Sequence, residues 1–197
     1  MAYACGTGAC KTTCATTADC SGPPYTCLGT TCTNATNLTV RLKAANMAAS
    51  TVWITQTFQI TNNGTTAIPL SDLVVRYWYT YDTTPIVPQT GACDYSFLPG
   101  NCTNIIFNGA TPAPFTAVSP ARTNADYYYQ FGFAAAAGSL AASGGTTGDV
   151  GVRFSKNNFS NFTQANDYSY NNSAAFAVTT NVTVYRAGVL VYGTEPP

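Results

Sequence analysis

Apolar and polar residues alternate with a period of two through most of the chain after residue 37. In LTVRLK, Leu38, Val40 and Leu42 fall on one face of an extended chain, and the polar residues between them fall on the other. Equivalent runs occur in VWITQTFQI, LVVRYWYTYD, ADYYYQFGF, DVGVRFSK, NVTVYRA and GVLVYG, separated by turn sequences such as NNGTT and SGGTTGD. No segment keeps a helical period over ten residues, so the pattern predicts an all-β sandwich.

The cysteines divide the chain into two parts. Six of the eight occur in the first 32 residues, a segment with almost no other apolar side chain: Cys5, Cys10, Cys14, Cys20, Cys27 and Cys32. Disulfides must replace a hydrophobic core in such a segment, and disulfides indicate secretion. The lack of any CxxC pair argues against zinc. We therefore predict a disulfide-rich segment at residues 1–33 and a sandwich domain at residues 34–197.

The same segregation predicts how the cysteines pair. Cys93 and Cys102 lie close to each other and far from the other six, so we expect them to form a disulfide within the sandwich. The six N-terminal cysteines are then expected to pair among themselves. Their connectivity stays open, because spacing does not choose among the possible pairings.

Charge and histidine content exclude several classes of function. The chain has eight basic and eight acidic residues, no basic cluster and no apolar run long enough for a transmembrane helix. We therefore expect neither nucleic acid nor a membrane as a partner. Histidine is absent, and the only glutamate is Glu195, beside two prolines. Without the usual general base and without an evident carboxylate pair, the sequence predicts that the protein is not an enzyme.

Two short segments carry oxygen-bearing side chains at spacings that suit a metal ion. Thr80 and Asp82 are two residues apart, on the same side of a strand, and Thr163, Asn166 and Asp167 occupy one compact turn. Two carboxylates with several neutral oxygens would suit Ca²⁺, which takes six to eight oxygen ligands. Turn capping by the same side chains is the commoner use of such residues, so the spacing alone leaves both interpretations open.

Aromatic residues are abundant, with thirteen tyrosines and ten phenylalanines. Some are expected simply because tyrosine favours half-buried strands. However, alternation places Tyr128 on the face opposite Tyr127 and Tyr129, and Phe159 lies in the polar loop KNNFSNF. Exposed aromatic rings suit sugar rings, whose axial faces are apolar.

From Leu38 to Pro197, about four-fifths of the chain, the sequence resembles a family 3 carbohydrate-binding module, the cellulose-binding type of bacterial cellulases and scaffoldins. The stretches that carry the resemblance are FQITNNGTTAIPLSDLVVRYWYTYD, CDY, SPARTNADYYYQFGF, VRFSKNNFSNFTQANDYSYN and VTVYRAGVLVYGTEP, in that order. The resemblance implies a nine-stranded antiparallel jelly-roll sandwich with one structural Ca²⁺. The ligands it implies are the residues with metal-like spacing: Thr80, Asp82, Thr163, Asn166 and Asp167.

The resemblance also implies two surfaces on opposite sheets. The first is a cellulose-binding row in which Asp94 pairs with Arg153, and in which Phe159 stands where the family usually has a larger tryptophan. Its expected members are Asp94, Tyr95, Phe107, Arg153 and Phe159. The second is a shallow groove with an unassigned ligand, formed by Arg76, Trp78, Tyr128, Gln130 and Tyr168.

The function expected from this resemblance is non-catalytic binding to cellulose or a related crystalline β-glucan. Such binding would direct an attached secreted enzyme or scaffold to the polysaccharide, with a catalytic domain of the parent protein as a further partner. The alternative is an extracellular structural subunit that self-assembles through the cysteine-rich segment and the tyrosine-rich faces. The cysteine-rich segment lies outside the resemblance.

Overall fold

The computed structural model describes residues 12–20, 25–28, 30–34, 38–107 and 114–197. These residues form sixteen strands: β1 (Tyr25–Leu28), β2 (Thr31–Asn34), β3 (Leu38–Ala44), β4 (Ile54–Asn62), β5 (Ile68–Pro69), β6 (Leu73–Tyr79), β7 (Gln89–Ser96), β8 (Ile105–Ile106), β9 (Phe115–Arg122), β10 (Ala125–Phe133), β11 (Ser139–Leu140), β12 (Gly145–Thr146), β13 (Val150–Lys156), β14 (Ala177–Val178), β15 (Val182–Arg186) and β16 (Val189–Tyr192). The helical segments among them are short 3-10 turns: Thr17–Asp19, Leu70–Asp72, Asn101–Asn104, Ala135–Ala137 and Gln164–Asn166. None of these turns has the length or the hydropathy needed to span a bilayer.

Two antiparallel sheets make up the sandwich. Sheet A has the order β14-β3-β4-β13-β7, with β12 also paired to β4. Sheet B has the order β16-β15-β6-β10-β8, with β9 also paired to β10. Nine of these strands contain four residues or more, and the others are pairs of residues at the margins. The predicted all-β jelly-roll sandwich is therefore confirmed.

The alternating residues form the core between the sheets. Leu38, Val40 and Leu42 of β3 are buried, as the period of two predicts. They face a cluster rich in aromatic rings, in which Phe154 of sheet A lies 4.8 Å from Tyr129 of sheet B. Burial of each such side chain stabilises the fold by about 1.5–3 kcal/mol. Because the inward positions are filled in this way, the outward positions of each strand are free to form surfaces.

Disulfides hold the N-terminal segment and one loop of the sandwich. Cys14 pairs with Cys27 and Cys20 with Cys32 around the β1–β2 hairpin, which confirms pairing within the N-terminal group for these four. Cys5 and Cys10 lie outside the described residues. The predicted Cys93–Cys102 disulfide is also present and joins β7 to the turn Asn101–Asn104. The boundary after residue 33 stays a prediction, since β2 extends through Asn34.

Candidate functional site

A β-bulge in β7 brings two consecutive side chains to the outer face of sheet A. Gly151 of β13 pairs with Tyr95, but the next residue, Val152, pairs with Cys93, so Asp94 is the extra residue. An extra residue breaks the strict alternation of a strand. Asp94 and Tyr95 are therefore both exposed, while Cys93 packs against the core.

Asp94 forms an ion pair with Arg153 of β13, with 3.0 Å between Oδ1 and Nη1. The arginine side chain is 45% exposed, and a pair in that environment contributes at most about 1 kcal/mol to stability. Its main effect is geometric, because the carboxylate holds one side of a planar guanidinium. The predicted Asp94–Arg153 pair is thus present, and it lies on the sheet surface.

The ring of Tyr95 lies across the neighbouring strand rather than projecting into solvent. A Cβ atom on Gly151 would lie 2.5 Å from Cε1 of Tyr95, so only glycine allows this close approach. The hydroxyl of Tyr95 is 2.9 Å from Oγ1 of Thr57, on β4. The ring therefore spans from β7 over β13 to β4, and its outer face forms a flat platform.

Phe159 supplies the most exposed ring of the predicted row, with 60% of the residue accessible. Its φ of 56° lies in the left-handed region, where a bulky residue costs on the order of 1–3 kcal/mol. Its N–H donates to the carbonyl of Lys156, at 2.9 Å, and the buried Lys156 ammonium donates to the carbonyl of Asn161, at 2.8 Å. Burial lowers the pKa of Lys156, and the nearby Asp82, Asp167 and Asp126 partly oppose that shift. These hydrogen bonds fix the backbone of the turn, and the phenyl ring of Phe159 projects into solvent.

We call Asp94, Tyr95, Arg153 and Phe159 the binding strip. Two further aromatic residues that the sequence analysis did not identify adjoin this strip: one is half-buried and the other is exposed. The ring centroid of Trp53 lies 6.2 Å from that of Phe159, and Phe97 lies 6.0 Å from Tyr95. The alternation in VWITQTF carried the signal for Trp53, because it places Trp53 opposite the buried Ile54.

Phe107 is the fifth residue expected in this row, and it is half-buried. It follows β8, which pairs with β10 in sheet B rather than joining sheet A. Its ring stacks on that of Tyr129, with centroids 5.8 Å apart and planes 16° apart, against the inward-facing aromatic cluster. The structure therefore places Phe107 directly after a strand of sheet B, and its membership of the cellulose-binding row stays a prediction.

The five predicted metal ligands meet at one end of the sandwich. Oγ1 of Thr80 lies 3.0 Å from Oδ1 of Asp82, 2.6 Å from Oδ1 of Asn166 and 3.0 Å from Oδ1 of Asp167. The backbone N–H of Thr163 donates to Oδ2 of Asp82, at 2.7 Å. The segment that follows β6 is thereby joined to the turn Gln164–Asn166.

This cluster contains more acceptors than donors. The Thr80 hydroxyl has a single proton to share among three acceptor oxygens. Oδ2 of Asp167 is buried without a hydrogen-bond partner. Burial raises the pKa of Asp167 to about 8, in spite of the hydrogen bonds from Thr80, and the charges of Asp82 and Asp126 raise it further. Two neighbouring carboxylates, one of which has a buried oxygen without a hydrogen-bond donor, are the chemistry that a hard cation such as Ca²⁺ fits.

The five residues of the predicted groove gather on the outer face of sheet B. Tyr128 pairs with Trp78 and Gln130 with Arg76 in the β10–β6 ladder. Nε of Arg76 donates to Oε1 of Gln130, at 3.1 Å, and its guanidinium carbon lies 4.3 Å from the ring of Tyr128. Tyr168 and Val118 pack against Trp78 and Tyr128. Trp78, Tyr128 and Gln130 are consequently buried, so the side chains come together but their rings are covered.

Comparison with known proteins identifies the family to which this fold belongs. A family model described as a cellulose binding domain matches residues 39–193. The chain belongs to this cellulose-binding-domain family. It is 38% identical over 158 residues to an uncharacterized protein in the celA 5′ region of Paenibacillus lautus, covering 80% of this chain and 100% of that protein. It is also 38% identical over 163 residues to cellulosomal-scaffolding protein A of Acetivibrio thermocellus, covering 81% of this chain and 8% of that protein.

A solved structure of the same family gives the same fold. The CBM3b module of the scaffoldin subunit ScaA from Acetivibrio cellulolyticus superposes with a TM-score of 0.71 and 36% sequence identity, covering 81% of this chain and 97% of that one. The cellulose-binding-domain match is a non-catalytic, carbohydrate-binding module. Because the chain spans all of one relative and under a tenth of the other, the activity of a whole parent protein is a separate matter.

Proposed function

We propose that the chain binds cellulose, or a related crystalline β-glucan, through the binding strip on sheet A. The observation that carries this proposal is the ring of Tyr95, which lies flat over Gly151 and is tied to Thr57. Arg153 is two residues from Gly151 along β13, a step of roughly 7 Å at the usual rise of a strand. The strip thus follows the strand direction, which suits an extended chain of sugar rings.

The shape of the surface supports an insoluble ligand over a soluble one. The groups of the strip are exposed aromatic rings and a partly exposed ion pair on the surface of a sheet. Apolar sugar faces stack on such rings, and each contact is worth on the order of 1 kcal/mol beyond its buried area. Affinity would come from several such contacts with one flat surface.

Adsorption to microcrystalline cellulose tests the proposal. Phe159→Ala should weaken adsorption by about 1–2 kcal/mol, since it removes an aromatic contact and its buried area. Ile86→Ala is the matched control, because Ile86 is 62% exposed against 60% for Phe159 but lies outside the strip. Equal isotherms for the wild type and Phe159→Ala, or equal losses in both variants, would contradict the assignment. Pelleting without cellulose, at any protein concentration, would instead support a self-assembling subunit.

A structural Ca²⁺ completes the proposal. Asp82 and Asp167 would supply the charged oxygens, with Thr80, Thr163 and Asn166 as neutral ligands. When bound, the cation would neutralise the two carboxylates and hold the segment after β6 against the turn that follows the Phe159 loop. The unpartnered Oδ2 of Asp167 is the observation that favours it. Its role is in stability, since the binding strip lies on the outer face of the sheet.

Secretion and attachment to other domains are also proposed. The two N-terminal disulfides and the Cys93–Cys102 disulfide suit an oxidising compartment. Relatives that the chain matches over a small part of their length include a cellulosomal scaffolding protein and an exoglucanase from Thermoclostridium stercorarium. A comparable role here would be to hold an attached catalytic domain or scaffold at the polysaccharide.

A further inference from the structure

Trp53 lies on the outer face of sheet A, one residue before β4 begins. The residue is half-buried, 6.2 Å from the ring of Phe159 by centroids. The guanidinium carbon of Arg153 lies 4.9 Å from the centre of the Trp53 ring. Trp53 therefore contacts two members of the binding strip, on the side of Arg153 away from Tyr95.

The backbone of Trp53 is fixed by one side chain. Its N–H donates to Oγ1 of Thr51, at 3.2 Å, and the same hydroxyl donates to the carbonyl of Trp53, at 3.0 Å. Nδ2 of Asn46 also donates to Oγ1 of Thr51, at 2.8 Å. The hydroxyl thus uses its one donor and both acceptor positions, and the indole starts from a rigid base.

The loop that carries Phe159 is joined to the same base. Thr51 and Phe162 exchange two backbone hydrogen bonds, at 3.0 and 2.8 Å. Asn161 adds a hydrogen bond from Nδ2 to Oγ of Ser50, at 3.1 Å. The relative position of Trp53 and Phe159 is therefore set before any ligand arrives, which limits the entropy lost on binding.

We propose that Trp53 contacts the polysaccharide directly and forms, with Phe159, a two-ring platform at one end of the binding strip. This inference rests on the proposed function and extends the strip beyond the residues that the family resemblance implies. The ligand class is a pyranose ring of the β-glucan chain, which stacks on an indole or phenyl face. The two ring planes meet at 51°, so the platform is tilted at this end of the strip. In this proposal, both rings contact the same sugar, each through its own face.

The partial exposure of Trp53 on a sheet surface favours contact with a ligand over a packing role. The chain has two tryptophans, and the other, Trp78, is 3% exposed and donates its indole N–H to Thr183, at 2.9 Å. In this fold, a tryptophan with a packing role is thus buried and has a hydrogen-bond partner for its indole N–H. Trp53 instead keeps part of its indole in water, beside the most exposed ring of the strip.

The two tryptophans make the proposal directly measurable. Acrylamide quenching of tryptophan fluorescence, read front-face on protein adsorbed to microcrystalline cellulose, reports on Trp53 because Trp78 is already shielded. The wild type should become protected on adsorption. Trp53→Phe, which retains only Trp78, should show no change in quenching. Trp53→Ala should weaken adsorption by about 5- to 20-fold, Trp53→Phe by less, and Ile86→Ala not at all.

The outcomes separate this inference from the proposed function. A wild type that does not adsorb overturns both. If the wild type adsorbs but its quenching does not change, Trp53 does not contact the polysaccharide directly, while the proposed function stands. Weaker adsorption of Trp53→Ala would then be explained by displacement of Arg153. Should Trp53→Ala not fold, the quenching of the wild type and the isotherm of Trp53→Phe still decide the question. In the double variant with Phe159→Ala, losses that simply add would overturn the shared platform.

Discussion

The outer faces of the two sheets carry the same kinds of residue but present them differently. On sheet A, Tyr95 and Phe159 flank an arginine and are 38% and 60% exposed. On sheet B, Trp78 and Tyr128 also accompany an arginine, yet they are 3% and 8% exposed. Alternation along β6 and β10 turns the sheet B pair outward, whereas a β-bulge in β7 and the turn after β13 bring Tyr95 and Phe159 to the surface of sheet A. The exposed fraction of the rings, rather than the residue type, distinguishes the proposed binding surface from the packed surface.

The cover on sheet B comes from segments distant in sequence. Arg122, at the end of β9, forms an ion pair with Glu195, at 2.8 Å, and donates to the carbonyl of Pro196, at 3.0 Å. The hydroxyl of Tyr185 also donates to Glu195, and that of Tyr168 to the carbonyl of Thr194, at 3.1 Å. The C-terminal segment is thereby fastened beside the aromatic cluster. No comparable segment crosses the binding strip among the residues that the structure describes.

The largest effect should follow truncation of a covered ring. Trp78→Ala should lower the free energy of unfolding by about 3–5 kcal/mol, because it leaves a cavity and removes the partner of Thr183. Urea unfolding measures this loss, and cellulose adsorption of the folded fraction should stay at the wild-type level. A variant that kept its stability and lost adsorption would reverse the roles of the two faces.

Removal of Ca²⁺ should have the next largest effect and should act on stability. A cation at a hundredfold excess over its dissociation constant stabilises the native state by about 2.7 kcal/mol. For a chain of this size, that corresponds to a fall in melting temperature of roughly 5–10 °C in chelator. Asp167→Asn should abolish the difference between the two conditions. Asp72→Asn, which affects only the surface pair with Arg186, should preserve it.

Gly151→Ala tests whether flatness matters on sheet A. The added Cβ would meet the ring of Tyr95 at 2.5 Å, so the ring must lift and lose its contact with Thr57. Adsorption should weaken by about 1–2 kcal/mol, as one stacking platform is lost. Gly132→Ala is the matched control on sheet B, where the nearest atom to the new Cβ lies at 3.4 Å. Unchanged adsorption in Gly151→Ala would show that Tyr95 does not act as a flat platform.

The smallest effect concerns the contacts of Glu195 that attach the C-terminal segment to sheet B. Burial alone would raise the pKa of Glu195, but hydrogen bonds from Tyr185 and Arg122 outweigh it and lower that pKa. A carboxylate with a lowered pKa stabilises the fold above its unfolded pKa, and the contribution disappears as pH falls through the folded one. Glu195→Gln should therefore cost roughly 0.5–1 kcal/mol at pH 7. Thermal melts of both proteins over a series of pH values from 7 downward check this, and a difference that did not shrink as the pH fell would contradict it.

The sequence predicted what depends on local periodicity and spacing. Alternation in β3 assigned its buried face correctly, whereas β10 is buried on both faces from Tyr128 onward. Thr80 and Asp82 are in contact, but they follow β6 instead of lying within a strand. What it missed depends on three-dimensional pairing. The pairing of β8 with β10, which places Phe107 beside Tyr129, and the cover over Trp78 both require contacts between segments far apart along the chain. The outward position of Trp53 could have been predicted, because alternation in the sequence places it opposite Ile54.

The backbone pair between Thr51 and Phe162 also determines how mechanical load would pass through the molecule. Tension from an anchored ring at Phe159 runs along its loop to this pair and then into β4, which lies inside sheet A between β3 and β13. A pulling force on the chain is therefore transmitted to β4, which is hydrogen-bonded to a neighbouring strand on each side. If Phe159 is anchored on a surface as proposed, unfolding under load requires β4 to separate from both neighbouring strands.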